Sequence, residues 1–255
     1  MRIAVAATAP FGADVLERLA STLEVEQLLT RPDAPRGRGR RLAPSAAKET
    51  AERLGIPVVH DRDELDADTV VVAAYGLLIP ESALERALWI NVHPSLLPRW
   101  RGAAPVERAL MAGDVRTGVT IHRTTKELDA GPIAAQEAFG IAPDDDAGAV
   151  YARAAEVAAR LLGDVLPDPS FTPQPEEGVT YAEKIGAADR ELDLSRPAQE
   201  LVNRVRALSP HIGARTADGL IVWRARADGD DFVPLDVQPP GGKRMSYDAY
   251  LRGRR

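Results

Sequence analysis

The chain has 255 residues, 45% of them hydrophobic and 27% charged, with a formal charge of −6 at pH 7. That size suits one large domain with a smaller one, and the composition is ordinary for a soluble globular protein. It has no cysteine, which excludes disulfides and thiolate metal sites and fits a cytosolic protein, and no apolar run approaches the roughly 20 residues that span a bilayer.

Residues 2–7 are a continuous apolar run, as expected for a strand covered on both faces. A loop at 8–12 leads into a helical pattern near 13–21, and residues 25–30 supply the next strand. Pro44 and Ser45 start a helix that stops at Gly55, with Pro57 beyond it. Strands follow at 57–59 and 69–74, a helix at 80–87, and a strand at 88–92 that delivers Asn91 and His93 at its carboxyl end. Further strands are expected at 118–122 and 133–139. An amphipathic helix spans 146–163, with Asp146 as N-cap and Val150, Ala154, Val157 and Leu161 along one face.

Pro167, Pro169, Pro173, Pro175 and Gly178 make 164–178 a connector. Beyond it come a helix near 197–207, β-like runs at 213–216, 220–226 and 232–237, and a basic end. The alternation predicts a mostly parallel sheet with right-handed crossovers, whose ligands lie at the carboxyl ends of strands. The expected domains are a catalytic domain at 1–180, a linker and connecting helix at 181–204, and a small β domain at 205–255.

Positive charge is clustered. Residues 31–41 hold Arg31, Arg36, Arg38, Arg40 and Arg41 against Asp33, and residues 243–255 hold Lys243, Arg244, Arg252, Arg254 and Arg255 against Asp248. Each segment nets +4, so the remainder carries −14. An acidic body with two basic patches suits a polyanion held at defined places; arginine-rich loops are also common as solvated surface.

Residues 91–102 read N-V-H-P-S-L-L-P-R-W-R-G, and residues 128–131 read L-D-A-G. They place an amide (Asn91), an imidazole (His93) and a carboxylate (Asp129) where they can converge, with no Ser or Cys nucleophile poised beside a base. Such a set suits a reaction whose nucleophile arrives with a substrate while the protein handles protons and a developing oxyanion. Asn91 and His93, two apart on a strand, point the same way. Pro94 and Pro98 restrict the loop between them, which can offer backbone amides and carbonyls to a flat heterocycle. Asp129 can hold the imidazole or carry an amine proton away; alone, it would more often be a turn or capping residue.

A metal site is not expected, because His60, His93, His122 and His211 show no paired spacing. The first β–α loop has only Gly12 and lacks the three-glycine dinucleotide pattern. Residues 37–41 lack the spacing of a nucleotide phosphate loop, and no G-x-S-x-G is present.

The stretch N-V-H-P-S-L-L-P-R-W-R-G-A-A-P (91–105), followed by G-D-V-R-T-G-V-T-I (113–121) and E-L-D-A-G (127–131), resembles the folate-dependent formyltransferase superfamily. R-P-D-A-P-R-G-R-G-R-R-L (31–42), T-Y-A-E-K-I (180–185) and P-G-G-K-R-M-S (240–246) resemble its methionyl-tRNA formyltransferase family. The resemblance implies an α/β fold: a Rossmann-like, mostly parallel sheet with helices on both faces, plus a small, shortened, β-rich (OB-like) C-terminal domain. It implies a cytoplasmic, monomeric enzyme without a metal or a membrane partner. Its co-substrate would be 10-formyltetrahydrofolate and its partner initiator methionyl-tRNA. By motif, the catalytic residues correspond to Asn91, His93 and Asp129. The folate contacts correspond to Ser95, Leu96, Leu97 and Pro98, with Tyr75, Gly76 and Leu77 in the pocket wall. The tRNA-sensing loop corresponds to Arg36, Arg38, Arg40 and Arg41.

The chain departs from the family pattern at Ala7 and Ala9, where Gly and Pro are usual, and after about residue 205, where it is shorter. Two rivals remain at this level. Residues 117–131 also resemble formyltransferases acting on nucleotide-linked amino sugars, and an RNA-binding homologue without catalysis would keep the basic patches.

Overall fold

A computed structural model describes residues 1–36 and 41–253. In chain order the elements are β1 (Ile3–Ala7), α1 (Pro10–Ala20), β2 (Gln27–Leu29), β3 (Ala34–Arg36), β4 (Arg41–Ala43), α2 (Ala46–Leu54), β5 (Val58–Val59), β6 (Thr69–Ala73), α3 (Glu81–Leu84) and β7 (Leu88–His93). Then come β8 (Arg101–Gly102), α4 (Pro105–Met111), β9 (Arg116–Arg123), β10 (Ile133–Gly140), α5 (Ala147–Val165), β11 (Tyr181–Ala182), α6 (Ala198–Leu208), β12 (Ala214–Arg215), β13 (Ile221–Asp228), β14 (Asp231–Gln238), β15 (Met245–Ser246) and α7 (Tyr247–Arg252). The chain divides into two compact units. The first comprises Met1–Arg101, Gly118–Ala138 and Ala152–Thr180; the second comprises Gly102–Thr117, Phe139–Tyr151 and Tyr181–Arg255.

The first unit is organised by a seven-stranded sheet of order β10-β9-β7-β6-β1-β2-β5. The pairs β1–β2, β1–β6, β2–β5 and β6–β7 are parallel, and β7–β9 is antiparallel. All five residues of β1 and of β6 are buried, which is why both read as uninterrupted apolar runs. Each fully buried Val, Leu or Ile in such strands stabilises the fold by about 1.5–3 kcal/mol.

Helix α2 has the expected bounds. The Ser45 side chain accepts from the Lys48 amide, and Gly55 ends the helix in the left-handed region at φ 73°. Helix α1 starts earlier than the pattern suggests, because Pro10 occupies its first turn, where a missing N–H leaves no bond unmade. Gly12, expected in a loop, lies inside α1 where the helix meets β6; a Cβ there would stand 2.2 Å from the Ala73 carbonyl oxygen.

In the second unit α6 packs on the sheet β12-β13-β14-β15, with Leu201, Val205, Leu208, Val222 and Val237 at the centre. Arg108 grips Asp189 with two bonds, of 2.7 and 2.9 Å. The guanidinium holds the Asp189 carboxyl below its usual pKa. The paired strands β8 and β11 and the helix α7, capped by Ser246, were not anticipated from sequence.

Candidate active site

All of the site lies in the first unit. Strand β7 ends at His93, and its antiparallel register with β9 sets Asn91 opposite His122 and His93 opposite Thr120. Side chains of opposed residues share a face, so these four meet on one side of the sheet. Asp129 comes from the loop after β9, in a left-handed backbone conformation at φ 48°. Gln174, from the proline-rich connector, holds that loop: its amide nitrogen donates to the carbonyls of Asp129 and Gly131, both at 2.8 Å. Arg101 donates to the Gln174 oxygen at 2.6 Å. Gly131 is required because a Cβ there would lie 1.8 Å from the Arg123 carbonyl oxygen.

The contacts fall into two groups. Short hydrogen bonds anchor the back of the site. His93 Nε2 donates to the Trp100 carbonyl at 2.8 Å, and Asn91 Nδ2 lies 3.0 Å from His122 Nε2. Longer pairs converge on the carboxylate: His93 Nδ1 to Asp129 Oδ2 at 3.7 Å, His122 Nε2 to Asp129 Oδ1 at 3.8 Å, and Asn91 Nδ2 to Asp129 Oδ1 at 3.2 Å. The two longest exceed a hydrogen bond, so a substrate atom can take a place among them. The side chains of His93, His122 and Asp129 are 5%, 2% and 12% exposed, a setting that strengthens every polar interaction. Burial, followed by the neighbouring His93, lowers the pKa of His122 to about 4, with Asp129 acting in the opposite sense.

The structure thus brings Asn91, His93 and Asp129 together, and adds His122, which the sequence reading considered only as a metal ligand. The available signal was the alternation of Thr120 and His122 along β9; the pairing partner of that strand was not legible. Among the described residues no group of three or more His, Asp or Glu side chains could hold a metal ion. No helix among them is long and apolar enough to cross a membrane.

The expected folate loop is braced from within. Its polar groups are largely engaged within the protein. Ser95 Oγ donates to the Arg99 carbonyl at 2.7 Å, Thr120 Oγ1 donates to the Ser95 carbonyl at 2.7 Å, and the Leu97 amide donates to Thr120 Oγ1 at 3.1 Å. Gln136 donates to the Leu97 carbonyl at 2.9 Å, and the Leu96 and Pro98 carbonyls accept from the amides of Arg99 and Thr180. The loop 95–98 is therefore a rigid wall rather than a row of free backbone donors. The register Val72↔Asn91 carries the turn after β6 to the same end of the sheet as Asn91. In that turn Tyr75 is buried, Gly76 accepts from Arg31, and Leu77 is exposed. A cavity of about 470 Å³ opens beside the Asp129 loop, lined by Arg101, Ala130, Pro132, Gln174, Glu176 and Val179.

Strands β3 and β4 pair with Arg36 opposite Arg41. Arg41 is exposed. Arg38, Arg40 and the side chain of Arg36 lie outside the described residues.

A mostly parallel sheet presenting an amide, an imidazole and a carboxylate, without a Ser or Cys nucleophile, defines a group-transfer enzyme, and residues 1–166 match the formyl transferase family. The methionyl-tRNA formyltransferase of Xanthomonas euvesicatoria pv. vesicatoria (strain 85-10) is 42% identical over 266 residues, covering 96% of this chain and 86% of that protein. The chain belongs to the formyl transferase family and, within it, to the methionyl-tRNA formyltransferases. Two solved structures share the fold at 15% identity. They are a methionyl-tRNA formyltransferase from Clostridium thermocellum (TM-score 0.67; 96% of this chain and 99% of that one) and an N-formyltransferase from Helicobacter canadensis in complex with folinic acid and dTDP-3-aminofucose (TM-score 0.71; 96% and 98%).

Proposed function

We propose that this protein transfers the formyl group of 10-formyltetrahydrofolate to the amino group of methionine esterified to initiator tRNA, as a cytoplasmic monomer. The amine nitrogen bonds to the formyl carbon, and negative charge grows on the formyl oxygen. The bond from that carbon to N10 of the folate then breaks; N10 takes a proton and the amine loses one. The products are N-formylmethionyl-tRNA and tetrahydrofolate.

The observation that carries the reading is the convergence of Asn91, His93 and Asp129 on one buried point. Asn91 keeps one N–H on His122 and turns the other, at 3.2 Å from Asp129, to the formyl oxygen. His93, tethered at Nε2, faces the reaction through Nδ1 alone. Asp129 accepts the amine proton and stabilises the positive charge of the attacking nitrogen as it forms. The wall at 95–98 and the turn at 75–77 flank the folate by shape and apolar contact. The segment 31–41 carries a net charge of +4, which suits a polyanion. On this reading Arg36, Arg38, Arg40 and Arg41 contact the acceptor end of the tRNA.

The test supplies 10-formyltetrahydrofolate with charged initiator methionyl-tRNA, charged elongator methionyl-tRNA or a nucleotide-linked amino sugar, and measures formylation of each. Initiator methionyl-tRNA is expected to be the preferred acceptor. Preference for the amino sugar, or folate binding with no transfer to any of the three, would overturn the reading.

A further inference from the structure

His122 has no step in the reaction as described, yet it is more deeply buried than His93 or Asp129. Its Nδ1 stands 3.0 Å from the Arg123 carbonyl oxygen, which can only accept, so Nδ1 carries the ring proton. Nε2 is then a bare acceptor, and the Asn91 amide donates to it at 3.0 Å. The second amide hydrogen faces the Asp129 carboxylate, another acceptor. Rotating the carboxamide by half a turn would set its oxygen against a lone pair and a carboxylate at once, leaving three acceptors facing one another. The tautomer of His122, together with the Asp129 carboxylate, therefore sets which way Asn91 points.

We propose that His122 is a positioning residue that aims the Asn91 amide hydrogen at the formyl oxygen, and that it neither gives nor takes a proton during transfer. The inference rests on the reading of Asn91 as the oxyanion donor. The groups around the His122 ring are consistent with a fixed neutral imidazole. Burial most of all, and then His93, which packs edge-on at 6.3 Å between centroids, oppose a positive charge there; Asp129 and the Arg123 carbonyl pull the other way, and Arg101 adds a smaller opposition. A neutral ring in the other tautomer would face the Arg123 carbonyl with a lone pair, so the backbone of β9 itself selects the working form.

The test combines ring-nitrogen NMR of the wild-type protein, crystal structures, and formyl-transfer kinetics of wild type, His122→Leu and His122→Gln. The ring is expected to stay protonated at Nδ1 and bare at Nε2 between about pH 5.5 and 8. His122→Leu should lower kcat by about 10², the scale of a misplaced reacting group, with the folate KM unchanged. His122→Gln, whose Oε1 can accept from Asn91, should recover most of that loss, and both variants should keep the wild-type shape of the pH–rate profile. A ring that titrates in that range, a His122→Leu enzyme at wild-type rate, or a Gln variant no better than Leu would overturn the proposal. Should the wild-type protein transfer no formyl group, the reading of the reaction fails. The NMR, and the orientation of Asn91 in the His122→Leu crystal structure, still decide the role of His122: an unrotated amide refutes it.

Discussion

The β7–β9 pair and the β3–β4 pair are both antiparallel and both carry polar residues opposite one another, yet they work by different physics. Across β7 and β9, Asn91 meets His122 and His93 meets Thr120; His93, Thr120 and His122 are buried, and Asn91 is bonded to His122 Nε2. Across β3 and β4 the backbone register sets Arg36 opposite Arg41, and on the proposed reading this segment acts through summed charge rather than aimed donors. Geometry sets the first, and ionic strength tunes the second. On the proposed reading, function divides along that line: the β7–β9 pair serves the chemistry and the basic segment holds a long anion.

Breaking the buried side should give the largest effects. Asn91→Ala or Asp129→Asn is expected to lower formyl transfer by about 10²–10³, or roughly 3–4 kcal/mol, with little change in thermal midpoint. Near-wild-type turnover in either variant would refute the assigned roles. Gln174→Ala removes no bond to the side chains of the three, but it frees the carbonyls of Asp129 and Gly131, whose loop holds a left-handed residue in place. We expect kcat to fall about tenfold, equivalent to roughly 1.4 kcal/mol of barrier. Unaltered kinetics with lowered stability would confine Gln174 to folding.

The basic side is sharpened by salt. Replacing Arg38 or Arg41 with Ala should weaken tRNA binding while leaving folate binding intact. For each phosphate no longer neutralised, the log–log salt slope should shrink by about 0.7–0.9. A slope that ignores both substitutions would remove this segment from the tRNA interface. The smallest effect lies in the second unit, at Asp189. Its folded pKa is depressed, so its pairing with Arg108 contributes stability above the ordinary carboxylate pKa of about 3.9 and loses it as pH falls through the lower folded value. Asp189→Asn should destabilise the protein at neutral pH and flatten the loss of stability below about pH 4. An acid-unfolding curve parallel to that of wild type would show that the pair contributes nothing.

Much of the fold was legible because its signals are local. Ser45 and Gly55 bracket α2 through a cap and a left-handed terminus, and the apolar runs of β1 and β6 need only burial on both faces. The start of α1 was misjudged because Pro10 and Gly12 look like loop residues until the contact with Ala73 is known. The β8–β11 pair escaped notice because its halves lie some eighty residues apart. Nothing in the residues of the 95–98 loop announces that Thr120 and Gln136 brace it.

By itself the amino-acid order determined most of the strands and helices of the main sheet and that an amide, an imidazole and a carboxylate flank two loops, since those follow from short-range sterics, hydropathy and residue chemistry. Only the tertiary structure decided that His122 stands across from Asn91, that Gln174 holds the Asp129 loop, and which nitrogen of each imidazole faces the reaction. The reason is that the Asn91–His122 and Gln174–Asp129 bonds join residues 31 and 45 apart, brought together only when the sheet closes around them, and even the nearer partners of the imidazoles are fixed by how the chain folds back on itself.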